Sequence, residues 1–178
     1  MKENNMRKAI FPGSFDPLTN GHVETVNIAT TIFDKVFFVI MTNTNKKYLF
    51  TEEERLEIAK TVFKDNSKVE VIARPQELAV DVAMKLGANT IVRGLRNDAD
   101  FNYEREIAAI NKTLAPQLNT ILLLTGPENS FISSTMIKET ATFGGDITKL
   151  VPDIAVSYTH LTLPTIALLC RSRWSPYH

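Results

Sequence analysis

Cysteine is all but missing: the chain holds one, Cys170, in 178 residues. That excludes a disulfide framework and fits a reducing compartment. An excess of either charge is missing as well, because twenty Lys and Arg balance twenty Asp and Glu, and no chain-wide basic field exists to hold a nucleic-acid backbone or an anionic membrane. An anionic ligand must therefore be met by a local cluster of cations. Seven Gly and eight Pro are ordinary usage, which excludes fibrous and low-complexity classes. No apolar run reaches the roughly 18 residues that a membrane span needs, and the opening MKENNMRKAIF is polar ahead of its first apolar run, unlike a secretory leader. These absences lead to the expectation of a soluble, cytoplasmic protein with neither nucleic acid nor membrane as partner. What is present, 44% hydrophobic and 22% charged residues, is enough for one ordinary globular core.

Short apolar runs alternate with segments of helical period. The pattern predicts strands over residues 8–11, ended by Pro12-Gly13, and over 36–41, 69–73, 90–92 and 120–125. Helices are predicted over 22–33, from a capping box at Thr51 and Glu54 to residue 63, and over 77–86, 98–114 and 133–143, with Gly87, Pro116 and Gly144-Gly145 as stop signals. Strand and helix in strict alternation predict an α/β fold: a doubly wound, Rossmann-like, parallel five-stranded sheet with helices on both faces. Such a sheet binds ligands beyond the carboxyl ends of its strands. The segments to read for chemistry are accordingly 12–21, 43–50, 93–97 and 126–135.

The first of these carries Pro12-Gly13-Ser14-Phe15-Asp16-Pro17-Leu18-Thr19-Asn20-Gly21-His22. Gly13 and Gly21 allow close backbone approach, Asp16-Pro17 makes a turn, and His22 falls in the first helical turn, where amides and the helix dipole favour an anion. A phosphate cradle holding an imidazole and a turn-rich loop whose histidine merely packs are both compatible with these residues. Neither the dinucleotide fingerprint nor the P-loop occurs. The chain also offers no Ser-His-Asp order and no His/Cys metal cluster.

The run Gly13 to His22 resembles the signature of the nucleotidyltransferase superfamily, whose T/H-x-G-H element binds nucleotide phosphates. Together with Ile-Val-Arg-Gly-Leu-Arg at 91–96, Asp-Phe-Asn-Tyr-Glu at 100–104 and Asn-Ser-Phe-Ile-Ser-Ser-Thr at 129–135, the resemblance narrows to the bacterial phosphopantetheine adenylyltransferase family. It runs in order from about Arg7 to Pro152.

The resemblance implies transfer of an adenylyl group from ATP to 4′-phosphopantetheine, giving dephospho-CoA and pyrophosphate. It assigns catalytic roles to His22, Lys46, Arg93 and Arg96, with His22 and Lys46 at the reacting phosphates, Arg93 on the phosphopantetheine phosphate and Arg96 on the phosphates of ATP. Ser14 and Ala79 would touch the acceptor. Ser14, Phe15, His22, Gly94, Leu95, Arg96, Glu104 and the run Asn129, Ser130, Phe131, Ile132, Ser133, Ser134 and Thr135 would touch ATP. No protein ligand for a metal is implied; Mg²⁺ would be held mainly by ATP phosphates. A homohexamer is carried over in the same way. On spacing alone, Lys46-Lys47 also fits a solvated pair, Arg93 and Arg96 a solvated loop, Glu104 a solvated helix face, and Ser133 a plain helix cap. Another superfamily transferase, acting on nicotinamide mononucleotide or making cytidylyl products, stays open at this point, as does a non-catalytic nucleotide-binding module or a fragment related to class I aminoacyl-tRNA synthetases.

Residues 1–153 read as the nucleotidyltransferase domain. Beyond them the chain changes: Ile154 to His178 holds two of the forty charged residues, Arg171 and Arg173, along with Cys170 and the single Trp. Leu161 to Cys170 is apolar, lacks a helical period and is interrupted by Pro164. The segment reads as an atypical tail, non-native or disordered, and the alternative is a divergent packing or membrane-touching element. Without its two cations the body would carry 20 − 2 = 18 basic against 20 acidic residues, which makes a local cationic cluster more necessary still.

Overall fold

The computed structural model describes residues 6–42 and 47–162, the last three by backbone alone. Its elements alternate: β1 (Lys8–Gly13), α1 (Asn20–Ile32), β2 (Lys35–Ile40), α2 (Glu52–Phe63), β3 (Val69–Ala73), α3 (Ala79–Lys85), β4 (Thr90–Leu95), α4 (Asp98–Leu114), β5 (Asn119–Leu124), α5 (Ser134–Thr142) and α6 (Asp153–Thr162). All strand pairs are parallel, in the order β3-β2-β1-β4-β5. This is the doubly wound α/β sheet expected from the alternating pattern. Among the described residues no helix is long and apolar enough to cross a membrane.

The central strands explain the continuous apolar runs. In β2 every residue from Val36 to Ile40 is buried, because the strand has a neighbour on each side and helices over both faces. Phe38 turns to one face, where its ring stacks on Phe15 at 3.9 Å and meets Phe63 at 5.1 Å. Phe37 turns to the other and joins Ile10, Val39, Val80 and Ile91. The first face is covered by α1, α2, α5 and α6, and the second by α3 with the end of α4. Local signals start the helices as expected: Thr51 Oγ1 accepts from Glu54 N at 3.2 Å while Glu54 Oε2 accepts from Thr51 N at 2.8 Å, and Asn97 caps α4.

Two boundaries differ from expectation in ways that matter for the site. β1 continues through Pro12 and Gly13, which pair with Val39 and Ile40 on the β2 side. Pro12 is tolerated because β1 pairs with β4 only at Ala9↔Thr90 and Ile10↔Ile91, and its missing N–H falls where those strands have parted. β4 runs to Leu95 rather than to Val92, paired with β5 throughout. Arg93 and Gly94, expected in the loop after the strand, are strand residues.

The expected break after Asp153 is not seen up to Thr162. α6 begins at Asp153, buries Ala155 and Thr159 one turn apart, and leans Ile154, Val156 and Tyr158 on the core. The Tyr158 ring meets Phe50 edge-on at 6.3 Å, and a hydrogen bond to the Glu57 carboxylate raises its hydroxyl above the ordinary tyrosine range. The i, i+4 spacing of these residues was obscured by reading them with the apolar stretch that follows. Residues 163–178, with Cys170 and Trp174, lie outside the described residues.

Phe38 has no exposure and touches three other aromatic rings. Replacing it, as Phe38→Ala, is expected to cost about 4 kcal/mol through lost burial and the cavity left behind; the drop in urea midpoint at constant m-value measures it.

Candidate active site

Where β1 and β4 part, their carboxyl ends open onto a cleft of about 470 Å³. A doubly wound sheet has its switch point at this position, between the strands where the winding reverses. The expected residues Ser14, Phe15, His22, Ala79, Arg93, Gly94, Arg96, Glu104, Ile132, Ser133, Ser134 and Thr135 all line it. Leu95 points into the core instead, as its place on a paired strand requires. Asn129, Ser130 and Phe131 do not line the cleft: Asn129 Nδ2 donates to Glu24 Oε2 at 2.8 Å, Ser130 Oγ donates to Pro127 O at 3.1 Å, and the Phe131 ring is exposed. Lys46 lies outside the described residues.

His22 is positioned by the start of α1. Thr19 is the N-cap, and its hydroxyl accepts from His22 N at 3.3 Å, while His22 Nδ1 accepts from Thr19 N at 3.0 Å. This is a capping box with an imidazole in place of the usual Glu or Gln. Phe15 stands perpendicular to the imidazole at 5.1 Å. Phe15 itself has φ +49, a left-handed conformation that costs a non-glycine residue on the order of 1 kcal/mol. It is retained because its ring is clamped by Phe11, Phe38 and His22, and because Gly13 has no Cβ: one built there would lie 2.7 Å from Phe15 Cζ. The cradle is narrower than its residues imply, since Asn20 N donates to Leu150 O and His22 N to Thr19.

The two arginines are oriented alike. Arg93 Nε and Nη2 donate to the two Glu104 oxygens at 2.8 and 2.6 Å, and its Nη1 donates to Pro12 O. Arg96 Nε and Nη2 donate to the two Asp100 oxygens at 2.8 and 2.9 Å, and its Nη1 donates to Ile132 O at 3.1 Å. Each guanidinium thus meets a carboxylate of α4 with one edge and a backbone carbonyl of another cleft segment with Nη1. Asp100 and Glu104 stand four residues apart, on one face of the helix. Glu104 is buried and not on a solvated face, and Arg93 and Arg96 are each held by a carboxylate and a carbonyl while partly exposed. With five N–H donors per guanidinium, one hydrogen on Nη1 and one on Nη2 of each arginine remain for a ligand oxygen.

Several supports were invisible in the sequence. Asp16, only 2% exposed, accepts from Leu49 N at 2.8 Å, Phe50 N at 2.9 Å and Lys138 Nζ at 3.0 Å, joining the β1–α1 loop, the β2–α2 loop and α5. Arg55 Nη1 donates to Ser14 O at 2.8 Å. Ser134 Oγ donates to Pro17 O at 2.9 Å, and Glu24 receives both Gly126 N and Asn129. Asp100, Thr19 and Tyr103 also line the cleft, and their neighbourhood in the sequence assigns none of them a role. Their signal is residue type next to an expected site residue, and nothing local names their partners.

The family described as cytidylyltransferase-like matches residues 10–140. The phosphopantetheine adenylyltransferase of Lactobacillus johnsonii is 71% identical over 147 residues, covering 83% of this chain and 89% of that one. The protein of the same name from Lactobacillus gasseri is 66% identical with the same coverage. That of Flavobacterium psychrophilum is 47% identical over 148 residues, 83% of this chain and 97% of its own.

Two substitutions test the supports. Arg93→Ala leaves the Glu104 carboxylate, 8% exposed, without its countercharge and should cost about 3 kcal/mol, much of it recovered by adding Glu104→Gln; the four urea midpoints of the double-mutant cycle decide this. Asp16→Ala strands the buried Phe50 amide, the half-buried Leu49 amide and an ammonium and should cost about 3 kcal/mol by the same measurement.

Proposed function

The chain belongs to the phosphopantetheine adenylyltransferases, a family of nucleotidyltransferases, and on that premise we propose that it transfers AMP from ATP to 4′-phosphopantetheine, a step of coenzyme A biosynthesis. The terminal phosphate oxygen of the acceptor attacks the α-phosphorus of ATP in line, the bond to the bridging oxygen breaks, and pyrophosphate leaves. The nucleophile is already ionised, so no proton has to be removed and no covalent intermediate is needed. Catalysis then consists of holding two polyanions in line and meeting the charge that develops on the transferring group.

The observation that carries this reading is the meeting, in one cleft, of His22, Arg93, Arg96 and the start of α5 from segments far apart in sequence. His22 is the donor for the transferring phosphate, with Lys46 as its partner there. The remaining hydrogens of Arg93 suit the acceptor phosphate, and those of Arg96 suit the ATP phosphates. Ser14 and Ala79 would touch the acceptor, with Met41, Ile91 and Ile107 giving the same cleft an apolar side for the methylene-rich arm of pantetheine. Phe15, Gly94, Glu104 and Ile132 to Thr135, which line the cleft, are assigned to ATP; Leu95 would act through its backbone, and Asn129, Ser130 and Phe131 through the placement of the loop they form. Among the described residues no three His, Cys, Asp or Glu side chains stand together to hold a metal, and Asp100 and Glu104 are engaged by arginines. Mg²⁺ is proposed to enter with ATP, held by phosphate oxygens and water. Assembly into a homohexamer is part of the proposal, with the exposed Phe101, Ile110 and Leu114 of α4 and Leu124 of β5 as surface that assembly would cover.

Pyrophosphate release in the presence of ATP, Mg²⁺ and a panel of acceptors tests the reading. Turnover with phosphopantetheine is expected; turnover with nicotinamide mononucleotide instead, or with no acceptor, would overturn it. His22→Ala is expected to lower kcat by about a hundred-fold to a thousand-fold while ATP affinity stays within a few-fold.

A further inference from the structure

We infer that Thr19 is a positioning residue that holds His22 in a single tautomer, with Nδ1 bare and the proton on Nε2. This deepens the proposed function, because it states the form in which His22 meets a phosphate. A backbone N–H can only donate, so the 3.0 Å contact from Thr19 N to His22 Nδ1 makes Nδ1 an acceptor. A proton on Nδ1 would set two N–H groups head to head. The Thr19 hydroxyl stands 3.0 Å from the same nitrogen and accepts from His22 N. Both polar groups of Thr19 are thus spent on His22, and the residue is only 2% exposed.

The position of the ring in the helix works in the same direction. The positive end of the α1 dipole disfavours an added cation in the first turn. Phe11 and Phe15 lie against the imidazole, the latter edge to face, and restrict its rotation. With Nδ1 committed to the cap, the neutral ring carries its hydrogen on Nε2, so His22 serves a phosphate oxygen as a hydrogen-bond donor of fixed direction. In the usual capping box the N3 carboxylate only satisfies the cap. Here the same bond also decides which nitrogen of the side chain carries the proton.

The test combines ring nitrogen NMR with kinetics on the whole chain. Long-range proton–nitrogen spectra of labelled protein, with His22→Gln to assign the signal among the three histidines, should show an unprotonated Nδ1 and a protonated Nε2. A protonated Nδ1 in the unsubstituted protein overturns the inference. Thr19→Asp keeps a strong helix cap but places a carboxylate beside Nδ1. The buried carboxylate should lower its melting temperature by a few degrees; in competition with the amide of residue 19 it should draw a proton onto Nδ1 in the His22 signal, and kcat should fall by about a hundred-fold with the KM for ATP little changed. Thr19→Ser, which keeps the hydroxyl and the amide, should restore both the spectrum and the rate. If Thr19→Asp moves the proton yet keeps kcat, the tautomer does not matter and the inference fails. Absence of pyrophosphate release by the unsubstituted protein with every acceptor would instead sink the functional reading and leave the nitrogen spectrum standing.

Discussion

β1 and β4 share a ladder only at Ala9↔Thr90 and Ile10↔Ile91, and the site depends on what happens after they separate. Beyond Ile10 the facing edges lack each other as hydrogen-bond partners, a state that buried backbone does not tolerate unless something else supplies the bonds. Arg93 Nη1 reaches across to Pro12 O, and Pro12 has no N–H to satisfy. The opening at the switch point is therefore stabilised by a proline on one strand and an arginine on the other. The same arginine is then locked to Glu104, which fixes α4 against the cleft. Removing the separation would close the ligand site, and removing the arginine would leave both Pro12 O and Glu104 without their donor.

Electrostatics follow from this arrangement. The chain has no net charge, and the described arginines of the cleft are each matched by a carboxylate. Among the described residues, the pull on a polyanion would consequently come from directed donors and from the starts of α1 and α5. A guanidinium held along one edge by a carboxylate and at Nη1 by a carbonyl has little rotational freedom left to lose when a phosphate binds. That is preorganisation, and it costs some net charge in exchange for direction.

Local pattern made most of the fold legible, and long-range pairing hid most of the site's construction. The short apolar runs and the helical-period segments mark β2, β3 and α4 closely because their residues are selected by burial and capping within a few positions. His22 and the serines at 133 and 134 could be placed for the same reason: a helix start is a local object. Arg93 and Gly94 were misplaced into a loop, since nothing in Arg-Gly-Leu marks it as strand until β5 is seen to pair with it. The partners of Arg93, Arg96 and Asp16 were not legible at all. Choosing Glu104 rather than Glu106, or Lys138 rather than Lys47, requires knowing which face of a distant helix meets the cleft. The early helical turns of α6 were lost for a different reason, as a short amphipathic segment was averaged with the apolar run after it.

The supports that escaped notice share a physical role. Asp16, Arg55, Glu24 and Ser134 each tie one loop of the cleft to another element through backbone groups. Loops at the end of a parallel sheet cannot satisfy their own amides and carbonyls by a ladder, so side chains must do it, and a charged or hydroxyl group is suited to bind several at once. Asp16 does so for two amides and an ammonium while almost wholly buried, which is tolerable only because its charge is compensated on each side. The residues that would touch ligand are few, and the precision of their placement comes from this second set. A reading that stops at His22, Arg93 and Arg96 names the donors but leaves unexplained why they converge on one cleft.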